Sequence, residues 1–106
     1  MKITKEMLEN RHACRWQLVI FEVLFPDGVV PTLQLCEKYA HVFSFEWAAF
    51  HLLEDSQFQE YIEIIEPSKA KCLEITKNIE DKQVIDKAWS EYETDAAIAF
   101  YKASLI

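Results

Sequence analysis

The sequence predicts an all-α protein: a compact bundle of about five to seven short helices with a longer C-terminal helix or helix pair. Three observations lead there. The 106 residues include one Gly and three Pro, so the chain has few places to turn, and those places divide it into segments of helical length. Within the segments apolar residues recur at spacings of three and four, the period of one helix face. Hydroxyl side chains that cap helices (Thr4, Thr32, Ser44) stand just before several of them.

Thr4 is the expected N-cap of a first helix, Lys5 to Asn10, with Glu6 near the positive end of its dipole. A second helix is expected over residues 13–25, because Cys14, Leu18, Phe21 and Phe25 fall at i, i+4, i+7 and i+11. A buried strand over Leu18 to Phe25 is the rival, and the segment length with its Gln and Glu favours the helix. Phe25-Pro26-Asp27-Gly28 then forces a turn, Pro26 fixing φ and Gly28 supplying a positive one.

Thr32 is placed to cap a helix from Leu33 to about His41, and Ser44 one from Phe45 to Leu53. Ser56 opens a segment expected to run from Gln57 to Ile65 and to stop there, since the residue before Pro67 is pushed out of the α region. Pro67 suits the first turn of a further helix to Ile79, carrying Cys72, Ile75 and Ile79 in line. Asn78, Glu80 and Asp81 form a weak boundary. Beyond it Trp89, Tyr92, Ala96, Ala99 and Ala103 run at helical spacing, and residues 67–106 are open to being one helix or two.

A chain of this length makes one domain, since it cannot divide its apolar residues between two independent cores. With 51% hydrophobic and 13% aromatic residues it is no disordered sequence. The net charge of −7 argues against binding nucleic acid through phosphates, which requires clustered Lys and Arg. Leu18 to Phe25, the longest apolar stretch, is too short for a membrane span and is interrupted by Glu22. The first residues hold no apolar leader segment, so a cytoplasmic protein is expected. Cys14, Cys36 and Cys72 are odd in number, widely spaced and without a Cys-x-x-Cys pair. They read as reduced thiols that pack as small hydrophobes.

The charges are unevenly placed. Residues 1–66 carry 5 basic and 11 acidic side chains, and no Lys or Arg occurs between Lys38 and Lys69. Glu46, Glu54, Asp55, Glu60, Glu63 and Glu66 all fall in that gap, and the spacing of three puts the last three along a slowly drifting line on one helix. Such a band is either a solvated face that keeps the protein soluble or a patch that imitates phosphate and engages a basic groove. Phe43 to Phe50 holds four aromatics, more than one helix side can bury, so Phe45, Trp47 and Phe50 are candidate anchors as well as candidate core.

No pattern spells out a reaction. His12 and Cys14, two residues apart on a helix, face different directions, and Cys14 lies on the expected core face. His41 and His51 stand alone, and no ligand pair has zinc-type spacing. Glu22 reads as a carboxylate at the core edge, paired with Arg15 or Lys38. No phosphate loop or Ser/His/Asp pattern is present, and no cofactor or metal is expected.

Thr4-Lys5-Glu6-Met7-Leu8, then Ala13-Cys14 with Gln17 and Phe21, Phe25-Pro26-Asp27-Gly28, Thr32, and Phe45-Glu46-Trp47-Ala48-Ala49 with Leu52-Leu53 resemble a module of small, mostly uncharacterised bacteriophage and mobile-element proteins. The resemblance covers about residues 3–53. His12 departs from it, standing where Gly is usual before Ala-Cys. A non-Gly residue there must enter the left-handed region or let the first two helices join. Phe50-His51 also departs, standing where polar residues are usual.

Small acidic phage proteins without an active site act by binding a host machine, as anti-CRISPR inhibitors do, and that likeness of class implies a non-enzymatic interaction module. Its partner would be a host protein with a basic surface, met through Glu46, Trp47, Phe50, Glu54, Asp55, Glu60, Glu63 and Glu66. Neither nucleic acid nor membrane is an expected direct partner. The alternative is an assembly protein that pairs with itself through Trp89, Tyr92 and Phe100 of the last helix; the chain is expected to be a monomer or a homodimer.

Overall fold

All 106 residues are described by a computed structural model, which contains six helices and no strand. The protein is all-α, and the chain divides into two compact units, residues 1–32 and 33–106.

In the first unit α1 (Lys5–Asn10) begins where its cap predicts: the Thr4 hydroxyl accepts from the Met7 N–H at 3.3 Å. Its end is a Schellman turn, in which Ala13 N–H donates to Leu8 O and His12 N–H to Glu9 O, both at 3.0 Å. His12 takes φ 60 to close it. The missing glycine is thus met by a histidine in the left-handed region, and the two helices stay separate.

Helix α2 (Arg15–Leu24) starts two residues later than expected. Cys14 is its N-cap, with an extended backbone and no capping hydrogen bond from its thiol. Lying outside the helix, it leaves the apolar stripe and is exposed, so the expected burial is corrected for this cysteine. Phe21 is buried beside Phe25, ring centroids 5.4 Å apart. Glu22 pairs with Lys5 at 2.9 Å rather than with Arg15 or Lys38. After Pro26, Gly28 at φ +85 bends the chain back so that Ile3 and Val29 exchange two backbone hydrogen bonds, at 2.7 and 2.9 Å. A Cβ at Gly28 would stand 2.8 Å from Ile3 O, so glycine is needed there for space as well as for φ.

The second unit comprises α3 (Leu33–Lys38), α4 (Phe45–Leu52), α5 (Asp55–Thr76) and α6 (Lys82–Ser104). Helix α3 stops three residues short of His41, and a turn leads to Ser44, whose hydroxyl accepts from Trp47 N–H at 3.2 Å and opens α4. Helix α5 begins at Asp55 after Glu54, ahead of the expected Ser56 cap. Gln57 Oε1 accepts from the Glu54 N–H at 3.0 Å, and its Nε2 donates to Ile106 O at 3.0 Å, tying the first turn of α5 to the last residues of the chain.

The expected break at Pro67 does not occur: α5 is one helix of 22 residues with Pro67 inside it. Proline deletes one N–H and so leaves the Glu63 carbonyl without its helical donor. Pro67 is exposed, whereas Tyr61 and Ile65 before it and Cys72 after it are buried along one face against α6. Burial of that face on both sides of the proline outweighs the lost bond. Residues 67–76 therefore finish α5. The chain turns at Asn78, in the left-handed region at φ 62, and α6 starts anew from Asp81, whose carboxylate accepts from Gln83 N–H at 2.9 Å.

Helix α6 is the centre of this unit and packs against α3, α4 and α5. It does so because its buried side chains are mostly alanines (Ala88, Ala96, Ala97, Ala99, Ala103) that let neighbours approach on two sides, with Tyr92 and Phe100 filling the gaps. Phe45 lies against Phe100 with ring centroids 5.6 Å apart, and Cys36, Ala40 and Ala97 form a second small cluster with Phe45 and Tyr101. Cys36 and Cys72 are buried small hydrophobes, as the sequence predicts.

Candidate docking surface

The eight residues expected to bind a partner are distributed over α4 and α5, and the structure does not gather all of them. Glu46, in the first turn of α4, is half-buried and accepts a hydrogen bond from the Tyr92 hydroxyl at 3.1 Å, so its carboxylate is committed to the core edge. Trp47 is half-buried and stacks on His51, ring centroids 4.5 Å apart. Phe50 is 59% exposed and leans on Phe58 of α5 at 4.9 Å. Exposed Glu54 and Asp55 cap and open α5, where carboxylates also favour the positive end of the dipole.

Successive helical residues turn by about 100°, which places Glu63 about 140° around α5 from Phe58. The Phe50–Phe58 pair and the middle of the acidic line thus look in different directions. What α5 does align is an outward stripe. Asp55, Glu63, Glu66 and Glu74 fall within about 100° of one another, opposite the buried Tyr61 and Ile65. Glu60 lies at the stripe's edge and is half-buried. Sequence reasoning missed Glu74 because Pro67 was expected to end the helix, which put Glu74 on another element.

None of these carboxylates is neutralised within the chain. The ion pairs are Lys5–Glu9, Lys5–Glu22 and His41–Glu93, all elsewhere. The second unit carries 7 basic and 14 acidic side chains against 4 and 4 in the first, so the whole net charge of −7 belongs to residues 33–106.

One constellation was not foreseen. His41 Nε2 is 3.4 Å from both Ser90 Oγ and Thr94 Oγ1, and its Nδ1 is 3.8 Å from Glu93 Oε1. A hydroxyl, an imidazole and a carboxylate in sequence resemble the parts of a hydrolase triad. The rest of such a site is missing: Ser90 is in the interior of α6, where neighbouring N–H groups are spent on helical bonds and none is left to stabilise an oxyanion. The cluster fastens the turn after α3 to α6. No group of three or more His, Cys, Asp or Glu side chains is arranged to hold a metal ion, and no helix is long and apolar enough to cross a membrane.

Comparison of the chain with protein-family models, with curated proteins and with solved structures returns no match.

Proposed function

We propose that this chain is a non-enzymatic protein-interaction module of phage or prophage origin that docks on a basic surface of a bacterial host protein, in the manner of an anti-defence inhibitor such as an anti-CRISPR protein. The observation that carries the proposal is the outward carboxylate stripe of α5, Asp55, Glu63, Glu66 and Glu74, with Glu60 at its edge and no cation of the chain paired with it. Unpaired like charges on one helix face repel one another, and an opposite charge brought by a partner removes that cost while steering its approach. The exposed Phe50 beside Phe58 supplies an apolar contact near the start of the same helix, where Glu54 and Asp55 add charge.

The test is affinity capture from a bacterial lysate with the intact chain and with an E60K/E63K/E66K variant, at low and high salt. A partner with a basic surface, bound at low salt and lost both at high salt and with the variant, is the expected result. Capture indifferent to the three substitutions removes the proposal. Of the three aromatics in the alternative reading, self-association through α6, Tyr92 and Phe100 are buried in the second unit and Trp89 is exposed, so a surface for it would rest on Trp89.

A further inference from the structure

The first unit presents a second surface of opposite character. On α2, Trp16 is 61% exposed, Val19 52% and Val23 75%. At 100° per residue these three fall within about 60° of one another, an apolar stripe running the length of the helix. Arg15 and Glu22 lie together along one flank of it, within about 20° of each other and seven residues apart, and both are exposed. Ile20 and Leu24 lie along the other flank. A helix that is apolar on its outer face as well as its inner one has a face left to cover.

We propose that this face is covered by the same face of a second copy of the chain, the two α2 helices pairing antiparallel about a two-fold axis near Val19. Three observations select a second copy. An antiparallel two-fold leaves each flank facing its own equivalent and reverses its direction, which brings Arg15 of each copy beside Glu22 of the other; a parallel pair would set the Arg15 and Glu22 flank of each copy against the apolar Ile20 and Leu24 flank of the other. Lys5 holds Glu22 through Oε2, leaving Oε1 for that contact. The first unit has 4 basic and 4 acidic residues, so the paired units carry no net charge of their own, whereas pairing through α5 would oppose two acidic stripes. The surface is isologous, so pairing closes at a dimer. One short helix per copy makes a small interface, and the dimer is correspondingly weak, with a Kd in the micromolar range.

Sedimentation equilibrium of the full chain, from about 5 to about 500 μM, reads the association directly. A monomer–dimer equilibrium is expected, weakened at least about tenfold by Val19→Asp, a change at an exposed position that leaves the far-ultraviolet circular dichroism unaltered. Arg15→Glu and Glu22→Arg are each expected to weaken pairing when alone, and an equimolar mixture of the two to recover it as a heterodimer with both contacts attractive. A monomer at every concentration overturns the proposal, as does a dimer indifferent to Val19→Asp or to Arg15→Glu. These variants lie on α2 and leave lysate capture through α5 unchanged, so failure here is distinct from failure of the docking proposal.

Discussion

The Tyr92 hydroxyl donates to Glu46 Oε1 at 3.1 Å, while the Tyr61 hydroxyl, buried in the same packing of α4, α5 and α6, has no hydrogen-bond partner. The two tyrosines therefore respond differently to loss of oxygen. Tyr92→Phe strands a half-buried carboxylate and is expected to cost about 1.5–3 kcal/mol, the worth of a hydrogen bond to a charged group. Tyr61→Phe removes a desolvated, unpaired hydroxyl and is expected to be neutral or stabilising by about 1 kcal/mol. Urea midpoints of the two variants, at equal slopes, check the opposite signs; a destabilised Tyr61→Phe would show that its hydroxyl is satisfied after all.

Alkaline pH acts on the same core. Burial, then the Glu46 carboxylate, pushes Tyr92 up to about 12, and burial drives Tyr61 in the same direction. Burial, followed by Glu37, raises Cys36 to about 11. Each group is neutral when protonated, and the folded state holds the proton more tightly than the unfolded chain, where Cys and Tyr ionise near 9 and 10. Their contribution is present in full below pH 9 and is lost as pH rises toward the folded values. Stability followed by denaturant titration is expected to stay level with respect to these groups up to about pH 9 and to fall beyond it. The fall should be shallower in Tyr61→Phe.

Two residues at positive φ in the first unit give opposite predictions. His12 at φ 60 occupies the position after the C-cap of α1 that favours glycine, and its side chain is exposed. His12→Gly relieves the left-handed backbone at no packing cost and is expected to stabilise by about 1 kcal/mol, raising Tm by a few degrees. Gly28→Ala adds a methyl 2.8 Å from Ile3 O at φ +85 and breaks the Ile3–Val29 pairing. A loss of about 1–3 kcal/mol is expected, with earlier proteolysis of residues 1–4. Thermal melts and limited digestion separate the two.

The same residues show how far the fold was legible. Thr4 and Ser44 announce α1 and α4 because capping is local, decided by one side chain and an N–H three residues on. Pro67 misleads because its local penalty is outweighed by burial of Tyr61, Ile65 and Cys72 against α6, a partner contributed by residues about 30 positions away. Cys14 fits the periodicity of α2 yet stands one residue outside it, and helix ends depend on φ and ψ values that apolar spacing does not fix. The acidic stripe was half visible: Glu63 and Glu66 share the face the sequence assigns them while Glu60 falls to its edge, Asp55 and Glu74 join only because α5 starts earlier and runs on past Pro67, and Glu46 leaves because Tyr92 reaches it. The spacing of Leu18, Phe21 and Phe25 marked the inner face of α2, but the spacing does not signal that the opposite face, also apolar at Trp16, Val19 and Val23, is left exposed.

Pro67 itself is testable. It is exposed and deprives the Glu63 carbonyl of its donor. Pro67→Ala restores that bond and is expected to raise stability by about 1–3 kcal/mol, the upper end set by the usual penalty of proline in a helix interior. An increased urea midpoint with unchanged slope is the signature. A destabilised variant would mean that proline at this position is required for α5 to pack along α6.

The outward stripe of α5 makes a prediction about the protein alone, separate from any partner. Glu60, Glu63 and Glu66 have no cationic side chain within ion-pairing distance, and the unit that carries them holds the whole charge of −7. Their mutual repulsion weakens the folded state, and salt screens it over a Debye length of about 10 Å at 0.1 M. Tm of the intact chain should therefore rise between low and moderate ionic strength. In E60K/E63K/E66K the second unit becomes nearly neutral, Tm at low salt should be equal or higher, and its rise with salt should shrink. If instead the variant melts lower at every ionic strength, these carboxylates serve the fold, and the stripe loses its standing as a surface kept for a partner.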